Sequence, residues 1–187
     1  MTERPLDGRH RTIVRLGNPV LREPAQEVPP DRFGTRFLRD LGRDLVRTMF
    51  EDNGVGLAAP QIGVGVRVFA YFLPGEGDRD EVPPRVLVNP RVTPVGEPTE
   101  LGWEGCLSIP GLRGMVPRYP GVRVRAFDTD GKEIAFQAEG FHARVIQHES
   151  DHLDGVVFLD RMTGMNTLMF EEEWEQFAPH KELPVEV

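Results

Sequence analysis

Cysteine is almost missing from this sequence: Cys106 is the single one in 187 residues, so no disulfide can form within the chain. That suits a reducing compartment and leaves stability to a packed core. Lysine is nearly missing too, with only Lys132 and Lys181 among 22 basic residues, a bias that carries no chemistry of its own. No apolar run approaches the ~20 residues that a membrane-spanning helix needs, the longest being Val68–Leu73. The first residues, MTERPLDGRH, have no apolar stretch, and Glu3 and Asp7 argue against a transit peptide, so a soluble, cytoplasmic protein is expected. Positive charge is in deficit as well. The formal net charge is −8, and residues 160–187 set Asp160, Glu171, Glu172, Glu173, Glu175, Glu182 and Glu186 against Arg161 and Lys181. Binding to nucleic acid through phosphate contacts is therefore not expected. Repeats and low-complexity segments are absent. With 39% hydrophobic residues, the composition suits a single domain over residues 1–187, in which about 160–187 form an acidic C-terminal helix and tail.

What is present is patterned. After Pro29-Pro30, Asp31 reads as the N-cap of a helix running to about Asp52. Phe33, Phe37, Leu41, Leu45 and Met49 recur along it at helical spacing, and Asn53-Gly54 stops it. A glycine-rich loop, GVGLAAPQIGVG, precedes a buried strand at 66–73. Residues 74–84 read as an exposed loop, and RVLVNP as a second strand stopped by Pro90. Alternating runs around Asp130-Gly131 make 121–139 a β-hairpin. From Gly140 the period becomes helical, with Phe141, Val145, His148 and His152 on one stripe and Gly155 closing the helix. About Asn166–Ala178 forms an amphipathic acidic helix. The expected class is α+β, with antiparallel or mixed strands wrapped around a central histidine-bearing helix.

That helix holds QHESDHLDG, residues 147–155. His148 and His152 leave the same helical face one turn apart with Glu149 beside them, an HExxH pattern. Neutral imidazoles on an otherwise apolar stripe need partners, and a metal ion supplies them. Two histidines do not complete a catalytic site, which takes three protein ligands and keeps one position open. Two residues compete to be the third. Glu172 lies about two dozen residues past His148, the spacing of thermolysin-like proteases, but three adjacent glutamates around a helix read as solvated surface. Cys106, in WEGCLSIPG, sits on tightly shaped backbone: Gly105 before it leaves space for a close approach, and Pro110-Gly111 after it marks a turn. The loop GVGLAAPQ is neither a Walker loop nor a dinucleotide fingerprint.

Taken together and in this order, GVGLAAPQ (54–61), EGCLS (104–108) and QHESDH (147–152) resemble the three signature motifs of the peptide deformylases. The resemblance runs from about Thr12 to Asp160 and takes in GLRGMVPR (111–118) and FHARVIQHESDHLDG (141–155). It implies that Cys106, His148 and His152 ligate one divalent ion, Fe2+ in the cell, with Zn2+, Ni2+ or Co2+ as replacements in purified samples. It implies removal of the formyl group from the N-terminal formylmethionine of newly synthesised polypeptides. In that reaction Glu149 would act as general base and then general acid, with the Gln61 amide and the Leu107 backbone N–H as donors to the developing oxyanion. An extended peptide would lie along Val55, Gly56 and Gly105, its methionine in a pocket near Val55, Phe141, Val145 and His148, and its downstream end near Arg113.

Two residues depart from the family's pattern. Trp103 stands where many members have an acid, and Arg144 takes a position that is often apolar beside the methionine pocket. Some members dock on the ribosome through a basic C-terminal helix, and EEEWEQF offers no such charge. The expected partners are formylated nascent peptides, without nucleic acid or membrane. Two other readings are a zinc endopeptidase built on His148, His152 and Glu172, and a non-catalytic binder of peptide ends.

Overall fold

The computed structural model describes residues 7–75 and 81–178. The middle of the expected 74–84 loop and the end of the expected acidic tail lie outside these residues. Helix α1 covers Arg36–Glu51 and begins later than the sequence suggests. Asp31 belongs to a separate 3-10 turn, Pro30–Arg32, and Gly34 takes φ +69° after it, so Thr35 is the N-cap. The buried stripe is Leu38, Leu41, Leu45, Val46 and Met49, whereas Phe37 is exposed. Successive i+4 steps drift around a helix of 3.6 residues per turn, so a stripe extended back from Met49 meets the core at Leu38 and not at Phe37. Asn53, at φ 60°, ends the helix beside Gly54, as its sequence suggests.

Strands β1 (Gly56–Ala58), β2 (Val68–Leu73) and β3 (Val82–Val95) follow, then β4 (Glu100–Cys106) and β5 (Ile109–Arg118). Next come β6 (Gly121–Phe127), β7 (Glu133–Glu139), helix α2 (Gly140–Leu153) and a short helix α3 (Phe158–Arg161). The last elements are β8 (Met169–Phe170) and helix α4 (Glu171–Phe177). All strand pairs are antiparallel, in a five-stranded sheet ordered β1-β2-β3-β6-β7 and a three-stranded sheet ordered β4-β5-β8. The α+β class with antiparallel strands and a central HExxH helix holds.

Strand β2 shows why the layers assemble. Its run VFAYFL is apolar throughout because both faces of the sheet are covered. Phe69, Tyr71 and Leu73 join the core shared with Val145, Ile146 and Leu153 of α2, while Val68 and Ala70 join Leu41, Leu45 and Met49 of α1. Each fully buried Leu or Met contributes about 1.5–3 kcal/mol. The hairpin β6–β7 forms in full around Gly131, which takes φ +86°.

Four further expectations about elements are corrected, and the first is that Val82, Pro83 and Pro84, expected in the 74–84 loop, open β3. Strand β3 does not stop at Pro90. It pairs with β2 through Val88, and with β6 from Val88 and again from Arg91 after a register shift. Asn89 (φ 49°) and Pro90 occupy that bulge, where the missing proline N–H interrupts no ladder, and Asn89 bonds Val28 through both its N–H and carbonyl at 2.8 Å. The turn after Cys106 is Leu107-Ser108, joining Cys106 to Ile109 in register, so Pro110-Gly111 lies within β5. The C-terminal helix spans only Glu171–Phe177, because Met169 and Phe170 pair with Arg113 and Leu112 of β5.

Candidate metal centre

Chain folding brings three ligating groups together from two elements. Cys106 is the last residue of β4, and His148 and His152 lie one turn apart on α2. Their ligand atoms lie within 4.8 Å of one another, all three residues are buried, and Cys106 Sγ is 3.3 Å from His152 Nε2. Cys106 stands beside the two histidines, whereas Glu172 is exposed on α4.

The donor set suits a divalent ion. Glu104 Oε2 lies 2.9 Å from His148 Nδ1. Burial opposes ionisation of Glu104, yet the charge and hydrogen bonds of Arg118, with the bond to His148, hold its carboxyl below the usual range. An ionised carboxylate only accepts, so His148 donates from Nδ1, and Nε2 is the nitrogen left to ligate. That Nε2 is buried without a hydrogen-bond partner, as is His152 Nδ1. Burial, then the neighbouring His148 and Arg118, push the pKa of His152 well down, so its imidazole is neutral. Burial, with the nearby Glu149 and Glu104 carboxylates, pushes the Cys106 thiol up to about 12. A divalent cation reverses that preference by replacing the thiol proton.

Glu149 follows the first histidine, and both its carboxylate oxygens are buried with no partner. Burial, reinforced by the Glu104 charge, raises its pKa well above the ordinary value. A methyl group at Gly56 would come within 2.2 Å of Glu149 Oε1, so the carboxylate rests directly on the backbone of β1. Gln61 lies on a 3-10 turn, Ala59–Ile62, and is fully buried. Ala58 N–H donates to Gln61 Oε1 at 2.8 Å, which turns Nε2 toward Ser108 Oγ at 3.3 Å and Cys106 Sγ at 3.6 Å. Leu107 immediately follows Cys106 in the two-residue turn.

The remaining expected site residues divide into two groups. Val55 and Val145 are buried in the same cluster, with Phe141 packed against it. Arg113 is elsewhere engaged: its guanidinium bonds Glu171, lies 5.2 Å from the Trp174 ring centre, and would contact a methyl group at Gly105 at 2.8 Å. The space that glycine leaves at position 105 is thus taken by Arg113. Trp103 packs edge-on against Trp174, with ring centres 6.2 Å apart. The guanidinium of Arg144 turns to Glu104.

Sequence reasoning missed the polar layer behind the ligands. Arg118 donates to both oxygens of Glu104 at 2.9 Å and to Asp151 at 2.6 Å, and Arg161 closes on Asp151 at 2.7 Å. Glu104 stood in the quoted EGCLS motif, but its burial is set by pairing with residues distant in sequence.

Two imidazoles, a cysteine and an unpartnered carboxylate converging beside an edge strand suit the centre of a metal-dependent hydrolase. Residues 10–167 match the polypeptide deformylase family. Peptide deformylase 1 of Nitrosomonas europaea is 46% identical over 158 residues, covering 83% of this chain and 89% of that protein. Peptide deformylase 2 of Pseudomonas syringae pv. tomato is 45% identical over 163 residues, covering 86% of this chain and 91% of its own. A class I type b peptide deformylase from Acinetobacter baumannii, solved with Met-Ala-Ser bound, superposes with a TM-score of 0.78 at 34% identity, covering 82% of this chain and 99% of that one. The peptide deformylase of Thermotoga maritima gives a TM-score of 0.74 at 35% identity, with 83% and 99% covered. The chain belongs to the polypeptide deformylase family, and it is an enzyme of that kind.

Proposed function

We propose that this chain, acting as a single catalytic domain, hydrolyses the formamide at the N-terminal formylmethionine of nascent polypeptides in the cytoplasm, releasing formate and a free amine. The observation that carries this reading is the Glu149 carboxylate, buried without a partner between the Cys106–His148–His152 group and the backbone of β1. A divalent ion on those three residues would supply a Lewis acid and lower the pKa of a bound water towards neutrality. We assign Fe2+ as the ion in the cell, and Zn2+, Ni2+ or Co2+ as replacements in purified protein.

Glu149 would take a proton from the attacking water and pass it to the departing amine, a transfer suited by a pKa raised through burial. Gln61 Nε2 and the Leu107 N–H would donate to the carbonyl oxygen as negative charge builds on it. The Ala58 N–H on Gln61 Oε1 supports this role, since it commits the amide's donor end toward the thiol. Among the described residues β1 and β4 are the ends of their sheets, so an extended peptide would find an edge on each, at Val55 and Gly56 and at Gly105. Val55, Phe141 and Val145, in one apolar cluster, suit the methionine side chain. The relative from Acinetobacter baumannii binds Met-Ala-Ser, a peptide of the expected product class. Arg113 would reach a peptide's downstream end only beside Glu171 and Trp174.

Formate release from formyl-Met-Ala-Ser tests the reading, with metal content measured in two variants. Cys106→Ser is expected to lose or alter the metal, and Glu172→Gln to keep it. The reverse pattern would favour an endopeptidase, and a metal-replete protein that releases no formate would favour a peptide-end binder. No helix among the described residues is long and apolar enough to cross a membrane.

A further inference from the structure

Helix α2 packs its backbone chiefly on the five-stranded sheet, whereas the β4–β5 hairpin packs on α3 and α4. Yet the centre takes its thiol from β4 and both imidazoles from α2. Side chains must therefore set the distance between them. Arg144, one helical turn before His148, spans that gap. Its NH1 donates to Glu104 Oε1 and to the Val116 carbonyl, each at 2.9 Å, and its NH2 donates to the Glu100 carbonyl at 2.6 Å. One guanidinium on α2 thus grips β4 at two points and β5 at a third.

The strand is shaped for this group. A methyl at Gly102 would lie 2.7 Å from the guanidinium carbon of Arg144, so glycine at that position vacates the volume that the cation fills. Glu104 is the other half of the arrangement. Its Oε1 takes Arg118 Nε and Arg144 NH1, and its Oε2 takes Arg118 NH2 and His148 Nδ1. Four donors around a fully buried carboxylate leave it one orientation. Without Arg144, Oε1 keeps a single partner and the carboxylate can turn away from His148.

We propose that Arg144 is a positioning residue of the metal centre, holding Cys106's strand against the histidine helix and Glu104 against His148. This rests on the reading of Cys106, His148 and His152 as ligands, and it concerns affinity for the ion and not turnover. Arginine is required because one group must meet a carboxylate and two carbonyls in a fixed fan, which lysine's single ammonium does not reproduce.

Optical titration of the metal-free protein with Co2+, following the thiolate–cobalt absorption, tests the proposal without substrate. Loss of an outer-layer partner typically weakens metal affinity by about 10–100-fold, and Arg144→Met and Arg144→Lys are both expected to fall in that range. Gly102→Ala, which intrudes on the guanidinium, is expected to weaken binding in the same direction and carries the test if Arg144→Met does not fold. Arg161→Met, at the half-exposed outer end of the same network, is expected to bind within a few-fold of wild type. Wild-type affinity in a folded Arg144→Met or Arg144→Lys, or in Gly102→Ala, overturns the proposal. So does a lower thermal midpoint with unchanged affinity, which would make Arg144 a structural tie alone. A wild-type protein that binds Co2+ but releases no formate would sink the deformylase reading and leave this one standing.

Discussion

At position 56 a single methyl group would take the place of the Glu149 carboxylate, the proposed general base. The added Cβ of Gly56→Ala would come within 2.2 Å of Glu149 Oε1 and sits on strand backbone that cannot yield easily. Turnover is expected to fall towards that of Glu149→Ala while bound metal stays the same, measured as kcat against metal content. Glu149→Ala itself should cost about 10²–10⁴ in rate with the ion retained. Substantial residual turnover in that variant would point to another base. Gln61→Ala, which removes one of the proposed oxyanion donors, is expected to lower kcat by about 10²–10³ with little change in metal content. The His148-Glu149-His152 grouping was legible in the sequence because its spacing is one helical turn. Gln61 and Gly56 entered through the family resemblance and meet Cys106 and Glu149 only in the fold. Glu104, Arg118, Arg144 and Asp151 were not legible, because a charged residue on a strand or helix reads as solvated until its partner is known. Each is buried here by pairing across 10 or more residues.

At the scale of elements, the periodic ones were read well and the irregular ones were not. The β6–β7 hairpin and helix α2 carry their own periods and their own stops, Gly131 and Gly155. The continuation of β3 through Pro90 was hidden because a proline is read as a break unless the strand is known to change partner there. The β4–β5 hairpin was hidden because Leu107-Ser108 carries no glycine or proline to announce a turn. The last helix was drawn too long because Met169 and Phe170 belong by sequence to an amphipathic run and by pairing to β5. That C-terminal segment is held by Trp174, buried against Trp103 and Arg113. Trp174→Ala is expected to destabilise the fold by about 3 kcal/mol, read from the urea midpoint, without changing metal content.

Helix α2 also begins with a pH-sensitive residue. Burial, aided by the Arg85 charge, lowers His142 to about 4, and its Nε2 shares a 3.1 Å hydrogen bond with the Tyr71 hydroxyl. The unfolded chain titrates this group near 6.5 and so binds the extra proton over the window from about 6.5 down to about 4. Stability from neutral His142 is complete above that window and is lost as pH falls through it. His142→Gln is expected to flatten the decline of the urea midpoint over that range relative to wild type. An unchanged slope would show that His142 does not titrate between the two states.

At the scale of the whole molecule, the histidine-bearing helix packs on the five-stranded sheet and reaches the other sheet through Arg144, while β1 and β4 are end strands of the two. Layer order, α1 and α2 on opposite faces of β2, follows from a strand apolar on both faces, which the sequence displays. The approach of Cys106, at the end of β4, to the histidines of α2 beside β1 follows from topology, which it does not display. The central claim is that this meeting place holds one divalent ion on Cys106, His148 and His152 and that the ion is required for formate release. Its most direct test is an oxygen-free titration of metal-free protein with Fe2+, following formate released from formyl-Met-Ala-Ser. The account predicts activity that rises in proportion to added iron and levels off at one ion per chain. Formate release that is independent of iron, or none at saturating iron, would contradict it.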